Sequence, residues 1–362
     1  MKRLVIAGGG TGGHISPAIS VAESVSRLDR DVSVHFFCTP RPVDRRMYAG
    51  FDDRVHVLDS PRIDKGGIAG RLIFPFRALR IFLQTRRLLR ELAPDLVFAT
   101  GGYSSFFTIA AARSLGIPSV LHDSNSIPGR SNRMASRLAG SVMLGFRSAV
   151  DYFPGKGIHT GNPVRESLQR NQKDEARRSL GLGAGKTVLF LGGSQGAAAV
   201  NDLALSMCER GITVILQSGE RDFDRISEEA RGREDFHLVG FVDDLSPLYS
   251  AADICVARSG AMTIAELSWF RLPAVFVPYP YAADDHQMAN AAEIVDTGGG
   301  LCFRENELTP EILWKELDGL LSAPGRLGEM SESLRRYMPD NPSRLIAEML
   351  LGKTGEGDQD ES

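Results

Sequence analysis

Cysteine is scarce. Cys38, Cys208, Cys255 and Cys302 are the only four in 362 residues, far apart and without a C-x-x-C pair. That excludes a disulfide framework and a paired-cysteine zinc site, and leaves buried free thiols of a reducing compartment as the expectation. Long apolar runs are also missing. Nothing approaches the roughly 18 consecutive apolar residues of a membrane span. The opening MKRLVIAGGG has only LVIA as an apolar core, too short for a cleaved signal peptide. Any contact with a membrane is therefore expected to be peripheral. Charge of one sign is not in excess: a formal net charge of -3 carries none of the basic surplus of nucleic-acid binders, so no nucleic-acid partner is expected.

What is present is a soluble-globular composition, 43% hydrophobic and 24% charged, in a chain long enough for about two domains. Short β-branched runs alternate with amphipathic stretches: LVIA, VSVHFFC, DLVFAT, SVLHD and SVMLGF in the first half, then TVLFL, TVILQ, FHLV, ICVA and AVFVP in the second. Apolar on both faces, these read as parallel strands covered by helices, an α/β pattern that restarts near residue 187. We expect two Rossmann-like domains, 1–162 and 163–340, with the ligand in the cleft between them. Gly161 and Pro163 break the chain at the junction, and a helix over 341–351 is placed to return to the first domain. The polar, glycine-rich stretch 352–362 reads as a solvated tail.

Glycine is plentiful, and its clusters follow strands. GGGTGGH at 8–14, GGSQGA at 192–197 and RSGAMTIAE at 258–266 each join an apolar run to a helix start. There, free N–H groups and the helix dipole favour an anion. The first satisfies G-x-G-x-x-G through Gly8, Gly10 and Gly13, but a dinucleotide site also wants an acid at the end of the second strand. That strand ends in Thr39-Pro40-Arg41, and Asp44 lies past the turn. GLGAGKT at 181–187 is not a P-loop, since Leu180 replaces its first glycine and it precedes a strand. Two glycine-lined helix starts and Glu266 in the second half suit a nucleoside diphosphate, and polar residues at 284–290 can face a sugar. His14 is either a proton carrier, with an unperturbed pKa near 6.5, or a phosphate ligand or helix cap.

Taken in order, GGGTGGHISPA, HDSNSIPGRSN, GNPVR, GGSQGA, RSGAMTIAE and DDHQMANA closely resemble the MurG family of bacterial cell-wall glycosyltransferases, from residue 2 to about 350. The resemblance implies a GT-B architecture. It also implies transfer of N-acetylglucosamine from UDP-N-acetylglucosamine to the C4 hydroxyl of lipid I, forming lipid II, by an inverting mechanism with no metal or cofactor. Carried across by motif, the substrate-binding residues are Thr11, Gly12, Gly13, Asn125, Arg165, Ser194, Val242, Ala261, Met262, Thr263, Ile264, Ala265, Glu266 and Gln287, with His14 as the catalytic base. Asp123 and Ser124 depart from the family's HEQN. A nucleotide-sugar-binding or lipid-carrier module without transferase activity is the alternative.

Between residues 62 and 91, Arg62, Lys65, Arg71, Arg77, Arg80, Arg86, Arg87 and Arg90 flank Ile68, Phe74, Phe76, Leu79 and Leu83. Such a stretch is either an interfacial helix resting on anionic lipid at the cytoplasmic face of the membrane or a domain helix with a solvated basic face.

Overall fold

The computed structural model describes residues 2–59, 67–192, 197–240 and 242–353, the side chains of Asp52 and of residues 67–73 excepted. Ser194, Arg62, Lys65 and most of the expected tail fall outside these residues, and the side chains of Ile68 and Arg71 are among those excepted. The chain divides into two compact units, one of Met1–Glu166 with Asn341–Ser362 and one of Ser167–Asp340.

In the first unit the described strands are β1 (Arg3–Ala7), β2 (Ser33–Cys38), β3 (Val55–Val57), β4 (Leu96–Ala99), β5 (Ser119–Asp123), β6 (Ser141–Leu144) and β7 (Gly157–His159), in the order β3-β2-β1-β4-β5-β6-β7. The second unit holds β8 (Thr187–Leu191), β9 (Thr213–Gln217), β10 (Phe236–Val239), β11 (Ile254–Ala257), β12 (Ala274–Phe276) and β13 (Gly300–Cys302), ordered β10-β9-β8-β11-β12-β13. The ladders run parallel, with Val5 opposite both His35 and Val97, and Leu189 opposite both Ile215 and Cys255. Leu4 to Ala7 and Val188 to Phe190 are almost wholly buried because helices cover both sheet faces.

Both sheets reverse direction at one place. From β1 the chain builds outward through β2 and β3, then returns to lay β4 on the other side of β1; β8 and β11 repeat the device. In open α/β sheets the carboxyl ends of such paired central strands are where a ligand binds. β1, β8 and β11, each followed in the sequence by a glycine cluster, are the central strands of such switch points.

The helix Gly12–Leu28 buries Ile15, Ala18, Val21, Ala22 and Val25, a stripe at helical spacing, into the core of the first unit. Against it packs the carboxyl-terminal helix Pro342–Leu351, whose Ile346 and Ala347 join the same core. Asn341 caps that helix by accepting from the Arg344 amide at 3.0 Å. Ser343 donates to the Val164 carbonyl at 2.7 Å, and Lys353 donates to the Leu28 carbonyl at 3.2 Å. Cys38, Cys208 and Cys255 are buried and Cys302 is partly buried, all as free thiols. Ile346→Ala should cost about 3 kcal/mol through lost transfer energy and an unfilled cavity. Urea unfolding of the full chain checks this, and the transition to follow is that of the first unit.

Candidate active site

The loop after β1 is held from two sides. Asp44, fully buried in the short helix Pro42–Met47, accepts the Gly10 amide on both carboxylate oxygens, at 3.1 and 3.0 Å, and the Thr39 amide at 2.8 Å. Arg41 donates to the Gly10 carbonyl at 2.7 Å, and the Tyr48 hydroxyl to that of Gly8 at 2.7 Å. Glycine is required here for space: a Cβ on Gly9 would lie 2.5 Å from the Asp44 carboxylate, and one on Gly8 would lie 2.4 Å from the Thr100 hydroxyl. Gly10, at φ +92, needs it for conformation. At Gly12 and Gly13 a Cβ would meet no protein atom closer than 4.0 and 3.9 Å. The helix begins at Gly12; the His14 and Ile15 amides both return to the Thr11 carbonyl at 3.1 Å, so the amides left for a ligand are those before His14, beside this open ground.

His14 sits in that first turn, partly exposed. Its Nδ1 lies 3.1 Å from the Thr100 carbonyl. A carbonyl only accepts, so Nδ1 carries the proton and Nε2 presents a lone pair. The Thr100 hydroxyl donates back to the His14 carbonyl at 2.6 Å. Desolvation holds the imidazole below its ordinary pKa, opposed by the Thr100 contact and by the charge of Asp44. At neutral pH the ring is therefore neutral and able to take a proton. Gly101 and Gly102, at φ +112 and +84, make room for it: a Cβ on Gly101 would stand 2.8 Å from the ring.

The loop after β5 closes the same side. Asp123 is buried, and its carboxylate accepts from the Asn125 amide at 3.0 Å, the Gly129 amide at 3.2 Å and Asn132 Nδ2 at 2.8 Å. Where the family pattern has a longer acid, this shorter one organises its own loop. Burial pushes the Asp123 carboxyl up to about 6, and burial pushes the neighbouring His122 down to about 4. Asn162 donates to the Ser124 carbonyl at 2.9 Å, tying the GNPVR segment to this loop.

In the second unit, Gly260 is the N-cap of the helix Ala261–Phe270. The Ile264 amide returns to the Gly260 carbonyl at 3.0 Å, so only the amides before it are left for a ligand. The side chains of Ala261, Ile264 and Ala265 are buried; Met262 and Thr263 are half-buried. Glu266 is 8% exposed, and its Oε2 accepts the Tyr249 hydroxyl at 2.7 Å, which fixes the carboxylate's orientation. Ser259, buried, has a hydroxyl without a partner among the described residues. Arg258 donates to the carbonyls of Val277 and Pro278 at 3.0 and 3.1 Å and pairs with Glu305. Gln287 Oε1 accepts the Tyr279 amide at 2.9 Å, so its NH2 group is the end turned to other partners. Val242 is half-buried.

Within the first unit, the structure brings Thr11, Gly12, Gly13 and His14 together with the Thr100–Gly102 turn. Asn132 also borders this group: its Nδ2 lies 3.2 Å from the Cβ position of Gly101. Asn125 belongs to the loop that Asp123 orders. The charge of Arg165 is felt at Glu23, on the same helix as His14. Ser194 lies outside the described residues. Asp44, Thr100, Asp123 and Ser259 were not singled out from sequence as site residues. Asp44 was visible only as an acid in the wrong place for a ribose, and Ser259 was one letter inside a quoted motif.

Two switch-point sheets with glycine-lined helix starts, one carrying a neutral histidine and the other a spare hydroxyl and an oriented carboxylate, define a glycosyltransferase of GT-B type. The sequence matches the glycosyltransferase family 28 N-terminal domain over residues 4–144 and its C-terminal domain over residues 187–344. The chain belongs to glycosyltransferase family 28, within the branch of its MurG-named relatives, as the motifs led us to expect. Among its relatives are the UDP-N-acetylglucosamine--N-acetylmuramyl-(pentapeptide) pyrophosphoryl-undecaprenol N-acetylglucosamine transferases of Geobacter sp. (strain M21) and Geobacter sulfurreducens. The first is 32% identical over 99% of this chain and 98% of that protein. The second is 34% identical over 97% and 99%. The crystal structure of Acinetobacter baumannii MurG matches with a TM-score of 0.77 at 27% identity, over 97% of this chain and 100% of that one. A UDP-GlcNAc 2-epimerase from Neisseria meningitidis, at 16% identity and a TM-score of 0.70, shares the fold.

The adjacent His122 and Asp123 predict an unusual pH response. The raised Asp123 contributes stability that is present below its ordinary 3.8 and is lost as pH rises through about 6. The depressed His122 contributes stability that is present above 6.5 and is lost as pH falls through about 4. Between these limits the two slopes oppose each other. Asp123→Asn removes one of them, so the variant should lose stability more steeply than the parent as pH falls from 6 to 4, by up to about 1.4 kcal/mol per pH unit. Denaturant midpoints across that range test it.

Proposed function

We propose that the chain is an inverting transferase that moves N-acetylglucosamine from UDP-N-acetylglucosamine to the C4 hydroxyl of the N-acetylmuramyl unit of lipid I, producing lipid II. The observation that carries this reading is His14: a neutral imidazole, fixed as the Nδ1–H tautomer by Thr100, at the amino end of a helix and at a sheet switch point. Nε2 takes the proton of the C4 hydroxyl as its oxygen attacks the anomeric carbon. The bond from that carbon to the β-phosphate oxygen breaks on the opposite face, and UDP departs with the electron pair. The leaving charge is met by helix amino-terminal amides, with Arg165 as a further cation. Thr11, Gly12, Gly13, Asn125, Ser194 and Gln287 hold the donor sugar and phosphates, Val242 the uracil, the Ala261–Glu266 turn the diphosphate and ribose.

The acceptor's polyprenyl carrier requires work at a membrane surface, and on this reading the protein is peripheral at its cytoplasmic face. Among the described residues, no helix is long and apolar enough to cross a membrane. In the helix Gly67–Leu92, Phe76, Leu79 and Leu83 are exposed at 76%, 55% and 52%, spaced along one side. Arg77 and Arg80 lie between them, and Arg86 and Arg87 follow. Arg80 lies 3.8 Å from Asp59 and Arg87 pairs with Glu91 at 2.7 Å, all four side chains being exposed. Exposed pairs of this kind are weak and can be exchanged for lipid phosphate.

Purified protein given labelled UDP-N-acetylglucosamine and a lipid I analogue should move label into the lipid fraction. UDP-sugar binding with no transfer would favour a nucleotide-sugar-binding module. His14→Ala should lower kcat at least about 100-fold and leave the Kd for UDP within about threefold; an equal loss of both rejects the base role. Reversing charge at Arg77, Arg80, Arg86 and Arg87 should release the protein from anionic vesicles in co-sedimentation, and unchanged binding would sink the membrane assignment.

A further inference from the structure

Asp44 follows the second strand but lies past the turn at which nucleotide-binding α/β folds carry an acid for the ribose. Here it faces inward. Fully buried, it grips the Gly10 amide with both oxygens and the Thr39 amide with one, and so joins the loop after β1 to the loop after β2. Gly9 lies so close to the carboxylate that any side chain there would collide with it. The Gly10 peptide is thereby clamped at both ends, its N–H by Asp44 and its C=O by Arg41. A peptide held so fixes where Thr11 starts the helix, and with it the direction of the free amides and of His14.

We propose that Asp44 is a positioning residue of the transfer reaction, locking the glycine loop that aims His14 and setting that imidazole's electrostatic surroundings. The inference rests on the reading of His14 as the base. Among the described residues, few charged and titratable groups face the ring. Asp44 acts on it from the helix after β2, and His122 from β5. Arg41 is spent on the Gly10 carbonyl, and Thr100 supplies a carbonyl from the end of β4. Asp44 is thus the negative charge that favours the imidazolium formed when His14 takes the acceptor's proton. It touches neither the ring nor any open ground.

The test uses the full chain with Asp44→Asn and Asp44→Glu, read in two ways. In 15N-histidine spectra of the free protein, Asp44→Asn should move the His14 titration to lower pH, because the charge that raised its proton affinity is gone. Asp44→Glu, which keeps the charge, should leave that titration near the parent's. In transfer assays both variants should lower kcat at least tenfold while the Kd for UDP stays within threefold, and the acid limb of kcat should follow the His14 titration in Asp44→Asn. An unmoved titration in Asp44→Asn, or parental kcat in either variant, overturns the proposal. Should Asp44→Asn fail to fold, Asp44→Glu decides: reduced kcat with unchanged UDP binding supports positioning, and parental kcat rejects it. If the parent transfers nothing to lipid I, the functional reading fails, while the titration still judges Asp44.

Discussion

The hydrogen bond from His14 Nδ1–H to the Thr100 carbonyl is the contact on which the site depends. It joins the first turn of one helix to the end of the neighbouring strand β4, across the switch point of the sheet. It selects the tautomer, leaving Nε2 as the acceptor. It also explains the two glycines that follow Thr100, because only residues without side chains, at positive φ, can pass beneath the ring. Burial of the imidazole keeps it neutral, and Asp44 opposes that burial with a charge held one layer back. Neutrality at rest and support for the cation during proton transfer come from different neighbours.

Buried carboxylates hold loops and side chains in place in both units. Asp44 binds amides of two loops, Asp123 binds two amides and an asparagine, and Glu266 receives a tyrosine hydroxyl. A buried acid is costly unless such donors surround it. Asp44 and Asp123 accordingly lie at loops with amides to spare, while Glu266, inside the helix Ala261–Phe270, takes a side-chain donor instead. The same arrangement that leaves first-turn amides open for an anion also supplies inward-facing amides to the acids that hold the loop in shape.

The second unit repeats the architecture with different chemistry. Its helix start at Gly260 carries no histidine; it offers a buried serine hydroxyl and, nearly two turns on, a carboxylate with one oxygen already fixed. Arg258, Gln287 and Asn290 stitch together the segments after β11 and β12 by binding backbone groups. Such groups suit holding a nucleotide better than moving protons. On our reading, the base belongs to the first unit and the binding of UDP mainly to the second.

Patterning in the chain determined the parallel α/β class, the restart near residue 187 and the glycine loops, because strands buried on both faces lose their polar side and a loop at a ligand keeps its glycines. It did not reveal β3, β7 or β13: each is three residues long, too short to show a period, and lies at a sheet edge where neighbouring strands define it. Nor could spacing show that Asp44 turns inward or that Asp123 orders its own loop. Those depend on which backbone groups chain reversal leaves unpaired and on how close two loops approach. The sequence by itself determined which residues could carry the chemistry. Tertiary structure decided which of them hold the others in place, because the direction of a buried side chain follows from the partners that packing brings within hydrogen-bond reach.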